Sequence, residues 1–267
     1  MQNYVSIVIV TTWTSLFGLC SAQNLSGDNA NDGILTGIAW TGDGSGTGGT
    51  NPARSGLERN TSFYVRLWGH EPFGIPEIRA QGIVLSGLVG PVGLAGSAWT
   101  QGFDALSILN LSAIASVPLS SSDQPVRAGL TLRSRKTSVS YGKAEILYGI
   151  ITGLHIELAE RFSLGSTVGK WISSEGFEAS LGFQFQVSET VLLLMEADRT
   201  AGYATDLRLG ADIGLAESFR VRVSMASEPR VLMIGLLFKT SGLSSTVTIQ
   251  RHYLLGMSRA IGVALSL

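Results

Sequence analysis

The segment FEASLGFQFQV, Phe177 to Val187, decides the fold class because its residues alternate between two kinds of side chain. The odd-numbered positions are apolar: Phe177, Ala179, Leu181, Phe183, Phe185 and Val187. The even-numbered positions are polar or small: Glu178, Ser180, Gly182, Gln184 and Gln186. A period of two predicts a β-strand whose faces meet different surroundings. The apolar face must therefore contact either the core of a soluble sandwich or the hydrocarbon of a membrane.

The same alternation continues along the chain from residue 61 to the end, interrupted only by short turn sequences such as Ser173–Gly176 and Thr240–Gly242. It predicts about fourteen strands and no ordinary amphipathic helix. The strands are predicted near 61–68, 77–88, 92–102, 104–117, 126–139, 145–159, 162–172, 177–187, 190–199, 203–214, 219–227, 230–239, 243–251 and 257–267. Residues 61–267 are thus predicted to form one all-β meander without a domain boundary.

The composition is apolar for a soluble protein, but the apolar residues are spread thinly. Charged residues make up only 15% of the chain, and the mean hydropathy is +0.28. After the N-terminus no stretch reaches the roughly 20 apolar residues of a membrane-spanning helix. The formal net charge of −1 gives no overall field that would recruit nucleic acid, so no nucleic-acid partner is expected.

Strand length indicates whether the apolar faces contact a protein core or membrane lipid. Strands of soluble proteins are typically five or six residues long, whereas the runs here are about ten or eleven. Eleven residues at roughly 3.3 Å each and a tilt of about 40° climb approximately 28 Å, close to the ~25 Å apolar band of outer-membrane barrels. Since every backbone group in lipid must be paired, the strands must close on themselves. The expected fold is a transmembrane up-and-down antiparallel β-barrel of 12–14 strands with a short irregular N-terminal arm; a soluble secreted or periplasmic β-protein is the alternative.

A barrel assigns each strand face to the lumen or to lipid. The polar faces provide the lumen-facing candidates: Arg127, Arg133, Arg135, Glu157, Glu178, Asp206, Arg208, Asp212, Arg220 and Arg222. The apolar faces provide the lipid-facing candidates: Phe177, Leu181, Phe183, Phe185, Leu207, Leu209, Ile213, Val263, Leu265 and Leu267. Both charge signs occur on the polar faces, so ion pairs are expected inside the lumen. The partner of the apolar faces is expected to be outer-membrane lipid.

Aromatic residues fall near the ends of the predicted strands, where interfacial girdles would place them. They are Tyr64, Trp68, Trp99, Tyr141, Tyr148, Trp171, Tyr203 and Tyr253. Ordinary strand packing is the alternative explanation for about half of them.

The N-terminus has the features of an export signal. An apolar run from Val5 to Leu19 is followed by small residues, which predicts a signal peptide over 1–22 with cleavage near Ala22-Gln23. Cys20, the only cysteine, lies inside this segment; its lipidation is the less favoured alternative because Leu19 precedes it. Residues 23–60, rich in Gly and Asn, are expected to form an N-terminal arm or plug segment. The expected location is the cell outer membrane.

Motifs for catalysis, cofactors and metals are absent or incomplete. The stretch GDGSGTGG, Gly42 to Gly49, lacks the Gly-Lys-Ser/Thr ending of a phosphate loop, and DNANDG, Asp28 to Gly33, lacks ligands that a calcium loop needs. The three histidines are far apart in sequence. No catalytic, cofactor-binding or metal-binding residue is therefore predicted, and the protein is expected not to be an enzyme.

The region 207–267 resembles the closing part of the PorV/PorQ-like outer-membrane proteins, which share the barrel architecture of FadL-type transporters. The resemblance rests on the family-like turn motif His252-Tyr253-Leu254-Leu255-Gly256-Met257-Ser258-Arg259, in which His252, Leu255, Gly256 and Ser258 match and Arg259 stands where the family often has His. The segments EPFGIPEIRAQGIVLS, 71–86, and GFDAL, 102–106, are similar to its early barrel. Asn51-Pro52-Ala53-Arg54 stands where the family carries Asn-Pro-Ala-Gly.

The resemblance implies an integral outer-membrane barrel and two classes of function. Family members act in type IX secretion, so a secretion-associated or structural membrane component is expected, with secretion-system proteins as partners. FadL-type relatives pass hydrophobic small molecules, so a passive channel for small solutes is the alternative. In either case the last strand, which ends the chain at RAIGVALSL, is expected to be read by the barrel assembly machinery.

Overall fold

The computed structural model describes residues 51–55, 63–120, 125–140, 142–172, 176–228 and 230–266. The described chain forms a closed antiparallel barrel of fourteen strands in which each strand pairs with its sequence neighbours and β1 pairs with β14. The predicted fold class is confirmed. The predicted signal peptide 1–22 and most of the arm 23–60 lie outside the described residues.

The strands are long, as an apolar band of membrane thickness requires. Their bounds are β1 Phe63–Glu71, β2 Arg79–Val89, β3 Val92–Phe103, β4 Leu106–Ser120, β5 Val126–Val139, β6 Glu145–Ala159, β7 Phe162–Trp171, β8 Phe177–Gln186, β9 Val191–Thr200, β10 Asp206–Ala216, β11 Phe219–Ser227, β12 Arg230–Lys239, β13 Leu243–His252 and β14 Gly256–Ser266. Two short 3₁₀ turns, Pro52–Arg54 and Pro72–Gly74, are the helical elements of the described part. None of the described helical segments has the length and apolar character that a membrane-crossing helix needs.

The first and last strands close the ring along a continuous register. Tyr64 pairs with Ser266, Trp68 with Gly262 and Glu71 with Arg259. Both chain ends of the barrel, Phe63 and Ser266, therefore lie at the same mouth, which we call the terminal mouth. The opposite end, which we call the loop mouth, carries the longest connection, residues 72–78. Because the ring is closed, no strand edge is left without a partner.

Side chains of each strand alternate between the lumen and the outer surface. Arg66 in β1 is only 3% exposed, whereas its neighbour Leu67 is 57% exposed. The contrast recurs around the ring: polar lumen residues such as Gln184 and Thr248 are buried, and apolar outer residues such as Leu132 are exposed. This is the inverse of a soluble protein and is what a hydrocarbon surrounding requires.

The strands correspond one for one to the predicted runs, and the differences lie at their ends. The first strand is predicted near 61–68 and is observed at Phe63–Glu71, and the tenth is predicted near 203–214 and is observed at Asp206–Ala216. The shifts arise because apolar alternation does not mark where pairing stops. Pairing here ends at turns such as that of Tyr203, whose N–H donates to the carbonyl of Thr200.

Candidate functional site: the barrel lumen

A piece of the N-terminal arm lies inside the barrel. Residues Asn51 to Ser55, which we call the lumen segment, form a single 3₁₀ turn, and Asn51, Ala53 and Ser55 are completely buried. Asn51 caps this turn, because its Oδ1 accepts a hydrogen bond from Ala53 N at 3.0 Å. Its Nδ2 donates to the carbonyl of Leu154 in β6 at 2.8 Å, which anchors the segment to the wall.

Glycines in the wall make room for the lumen segment. A Cβ atom at Gly129 would lie 2.2 Å from the carbonyl carbon of Pro52, and one at Gly153 would lie 2.2 Å from Asn51 Oδ1. At Gly93 it would lie 2.0 Å from the carbonyl oxygen of Ser55. Such separations are impossible for real atoms, so only glycine permits the backbone of the segment to lie directly against β3, β5 and β6.

Arg127 and Ser116 fix the other end of the lumen segment. Arg127 Nε donates to the carbonyl of Ala53 at 3.2 Å, and its Nη2 donates to Ser116 Oγ at 2.9 Å. The hydroxyl of Ser116 in turn donates to the carbonyl of Ser55. Since β5 begins at Val126, these contacts place the segment near the terminal mouth, against the sector from β3 to β6. Arg127 thus contacts backbone carbonyls of the segment.

An apolar aromatic cluster faces the lumen on β1 to β3. Trp68 and Trp99 are 5% and 9% exposed, their ring centroids lie 6.3 Å apart at 54°, and both pack with Ala80. Gly82 lies beneath them, because a Cβ there would be 2.7 Å from the Trp68 ring and 2.6 Å from Trp99 Cβ. The cluster is a buried apolar surface inside a largely polar interior.

The prediction that these aromatic residues form an interfacial girdle is wrong for several of them. Tyr64, Trp68 and Trp99 are buried on lumen-facing positions, and Trp171 contacts lumen arginines. Tyr148 and Tyr253 are exposed on the outer surface or at a turn, and Tyr141 lies outside the described residues. The sequence signal that could have separated them is parity, since Tyr64 and Trp68 share a face of β1 with Arg66.

Paired charges line the sector from β9 to β11. Arg208 donates from Nε to Asp206 Oδ2 at 2.6 Å and from Nη1 to Glu196 at 3.2 Å, and it lies 3.9 Å from Asp198. Asp206 also accepts from Ser227 N at 3.1 Å, which ties the cluster to the turn after β11. The three carboxylates surround Arg208 and outnumber its single positive charge.

A second ion network in this sector lies nearer the terminal mouth. Asp212, with no exposed surface, accepts from Arg220 Nε at 2.5 Å and from Arg222 Nε at 2.7 Å. A carboxylate buried this deeply is stable only when it is paired. Removing its charge would take the carboxylate from the buried guanidinium group of Arg222 and the half-buried one of Arg220, so this network holds β10 to β11.

A third charged cluster, near the loop mouth, combines Arg133 and Arg135 of β5 with Trp171 of β7. The guanidinium carbons lie 3.9 and 4.8 Å from the Trp171 ring centroid. Arg133 also forms an ion pair with Glu178 of β8, and Arg135 Nε donates to Asn110 Oδ1 at 3.0 Å. This cluster carries two guanidinium groups and one carboxylate, in contrast to the acid-rich group around Arg208.

The family-like turn motif forms a latch between the first connection and the last hairpin. His252 Nδ1 accepts from Leu254 N at 3.1 Å and from Leu255 N at 3.0 Å, while Gly256 takes φ +96° to complete the turn. Ser258 Oγ accepts from Phe73 N at 2.9 Å, and the Phe73 ring lies edge-on to His252 with centroids 5.8 Å apart. Phe73 adopts φ +56°, unusual for a non-glycine residue. The motif thus joins residues 72–74 to β14 at the loop mouth.

The remaining predicted site residues lie as follows. Glu157 is half-buried on a lumen-facing position of β6, opposite Ser163. On the outer surface Phe183 and Ile213 are half-buried, and Leu267 lies outside the described residues. The other predicted lipid-facing residues are exposed: Phe177, Leu181, Phe185, Leu207, Leu209, Val263 and Leu265.

Similarity to known proteins is confined to structure. No family model matches the chain, and no curated protein matches its sequence. Among solved structures, the CymD monoaromatic hydrocarbon channel matches with a TM-score of 0.64 and 11% identity, over 90% of this chain and 96% of that one. The Pseudomonas putida toluene transporter TodX matches with a TM-score of 0.61 and 8% identity, over 85% and 93%. The Acinetobacter baumannii outer membrane protein Omp33 matches with a TM-score of 0.55 and 10% identity, over 78% and 98%.

These likenesses cover nearly the whole of each solved barrel and show that the fold is that of an outer-membrane β-barrel. The chain is an integral outer-membrane β-barrel protein, and the expected location in the outer membrane is confirmed.

Proposed function

We propose that this barrel is a passive, non-enzymatic channel for small apolar or aromatic solutes. The observation that supports it best is the lumen-facing cluster of Trp68, Ala80 and Trp99. A lumen that only carried water would be lined by polar groups. Sites for small molecules, in contrast, are lined mainly by apolar and aromatic side chains.

The structural neighbours support this proposal by the solutes in their names. CymD is a monoaromatic hydrocarbon channel, and TodX and the Ralstonia pickettii protein TbuX are toluene transporters. At this level of identity they share only a fold with this chain. The argument from the chain itself for an apolar or aromatic solute is the apolar cluster on β1 to β3. In this proposal the solute contacts Trp99 and passes beside, or displaces, the lumen segment near the terminal mouth.

The test is uptake of radiolabelled toluene by Gram-negative cells that produce the protein. We expect Trp99→Ala to lower the uptake rate severalfold, because it removes half of the aromatic surface. The matched control is Tyr148→Ala, which removes an aromatic ring that is 58% exposed on the outer surface, and which should leave uptake unchanged. Equal uptake by wild type, Trp99→Ala and cells without the protein would reject the proposal.

A second candidate is a secretion-associated or structural component of the PorV/PorQ type. It is favoured by the latch, which reproduces the family-like motif, and by the apolar hairpin tip next to it, where Tyr253 and Leu254 are 75% and 79% exposed. Such a tip could contact a secretion-system protein, although the connections of the barrel are short. Co-purification from detergent-solubilised outer membranes, followed by mass spectrometry, separates the two: secretion proteins recovered in fixed ratio support this candidate, and recovery of the barrel alone supports the channel.

The proposal includes the assembly route. The final strand, Gly256–Ser266, presents an alternating outer face to lipid and pairs with both β13 and β1. We take it as the segment that the barrel assembly machinery receives, since its pairing with β1 completes the ring.

A further inference from the structure

We propose that Arg133, Arg135 and Asn110 form an oxyanion-binding site in the lumen near the loop mouth. The ligand class is a small carboxylate or phosphate, held by side-chain N–H donors of β4 and β5. This site is separate from the apolar cluster, and binding there does not require that any solute crosses the barrel.

The first argument is charge. The guanidinium groups of Arg133 and Arg135 both lie against the ring of Trp171, at 3.9 and 4.8 Å from its centroid. Two like charges so close together repel each other, more strongly than they would in bulk water. Within the described part of the barrel, only one carboxylate, that of Glu178, forms an ion pair with the cluster, and it pairs with Arg133. One positive charge is left uncompensated.

The second argument is the surplus of donors. Asn110 Oδ1 accepts from Arg135 Nε, so the amide nitrogen of Asn110 points elsewhere as a donor. In residues that the structure describes, this Nδ2 atom and Arg133 Nε are buried without a hydrogen-bond partner. Arg135 itself donates from Nε to Asn110. Buried donors that lack acceptors are rare and costly, and a bound acceptor accounts for them.

The third argument is the contrast with the other lumen arginines. Arg208 has three carboxylates around it, and Arg220 and Arg222 share Asp212. Each guanidinium group of these networks contacts a carboxylate directly, whereas Arg135 has only the neutral amide oxygen of Asn110 as a side-chain acceptor in the described ranges. Planar guanidinium groups match the paired oxygens of carboxylates and phosphates, which sets the ligand class.

The wall is shaped so that this cluster can lie flat against it. A Cβ at Gly149 of β6 would lie 2.7 Å from Arg133 Nε and 2.9 Å from Trp171 Cε3. Glycine at this position lets the arginine and the ring approach the backbone. Because β7 ends at Trp171, the site lies toward the loop mouth.

The experiment is calorimetric titration of the purified full-length barrel in detergent with sodium acetate and, separately, with sodium phosphate, at ionic strength held constant with sodium chloride. We expect saturable binding of at least one of the two, and the stronger binder identifies the oxyanion. Arg135→Gln should weaken that binding about tenfold or more, because a charge-assisted hydrogen bond is lost. Arg135→Lys, which keeps the charge but not the planar fork, should weaken it less.

The matched control is Arg220→Gln, the same substitution at a lumen arginine that already has a carboxylate partner. It should bind the anion as the wild type does. Heat-modifiable migration on gels shows that each variant has a folded barrel. Absence of saturable binding of both anions to the wild type, unchanged binding by Arg135→Gln, or equal loss in Arg220→Gln would each overturn the site. None of these results bears on toluene uptake, so the two proposals fail separately.

Discussion

At the scale of single residues, parity along a strand carries most of the information. Once one charged residue is assigned to the lumen, every second residue follows it, which is why Arg208 and Asp212 face inward together with Asp206. Aromatic residues are harder to assign to a face, because they occur both in interfacial girdles and in lumens. Trp68 and Trp99 were assigned to the girdle because they lie near strand ends, and this assignment is wrong. The role of the wall glycines could not be predicted, because the lumen segment against which they lie is distant in sequence. Arg127, on the same strand as Gly129, contacts Ala53 across 74 residues.

The wall glycines lead to a prediction about the lumen segment. Gly129→Val should displace Asn51 to Ser55, because its side chain would overlap with Pro52, at a cost of about 1–3 kcal/mol for overpacking. The measurement is the rate at which trypsin cleaves after Arg54 in the folded, detergent-solubilised barrel, which should rise. Gly96→Val is the control, since a Cβ there meets only a carbonyl oxygen at 3.6 Å. Slow cleavage in both variants would contradict the role given to Gly129.

At the scale of elements, the strands could be predicted because a membrane imposes one length and one alternation on all of them. Their ends could not, because they depend on local hydrogen bonds in the turns. The 3₁₀ turn Pro72–Gly74 was also beyond the sequence, because its conformation depends on Ser258, 185 residues away from Phe73. The family-like motif was recognised as a pattern, and its physical role as a latch became visible only with the contacts.

The latch predicts a measurable loss of stability. Ser258→Ala would leave the N–H of Phe73 without its acceptor, which should lower the free energy of unfolding by about 1–3 kcal/mol. Urea unfolding of the barrel in lipid vesicles, followed by tryptophan emission, measures this change. Ser244→Ala is the matched control, a lumen-facing serine of β13 for which no side-chain hydrogen bond is found in the described part of the structure. A loss of equal size in the control would show that serine removal in general, and not the latch, is responsible.

At the scale of the whole molecule, closure of the ring follows from physics that the sequence already contains: export, amphipathic strands and the need to pair every backbone group in lipid. What fills the ring does not follow. The lumen segment contacts strands that are distant from it in sequence, and alternation alone does not show which lumen side chains of nearby strands contact each other in the tryptophan and arginine clusters. The barrel fold therefore indicates the cellular compartment, whereas the class of solute has to be inferred from the lumen side chains.

The orientation of the whole barrel can be tested with cysteines. Outer-membrane barrels place their short turns in the periplasm, and at the terminal mouth several connections are short, such as 160–161 and 217–218. In a Cys20→Ser background, which removes the only cysteine, we expect Leu254→Cys at the loop mouth to react with a membrane-impermeant maleimide on intact cells. Glu217→Cys at the terminal mouth should react only after the outer membrane is permeabilised. The reverse labelling pattern would show that the barrel has the opposite orientation, with the terminal mouth at the cell surface.

The position of Asn51 to Ser55 has a consequence for biogenesis. The strands that hold it, β3 to β6, all belong to the early part of the chain. They are delivered to the periplasm before β7 to β14, and none of these contacts involves the seam between β1 and β14. The order of synthesis therefore allows Asn51 to Ser55 to bind this sector while the sheet is still open. The ring can then close around the bound segment, and the N-terminal arm does not have to enter a barrel that has already closed.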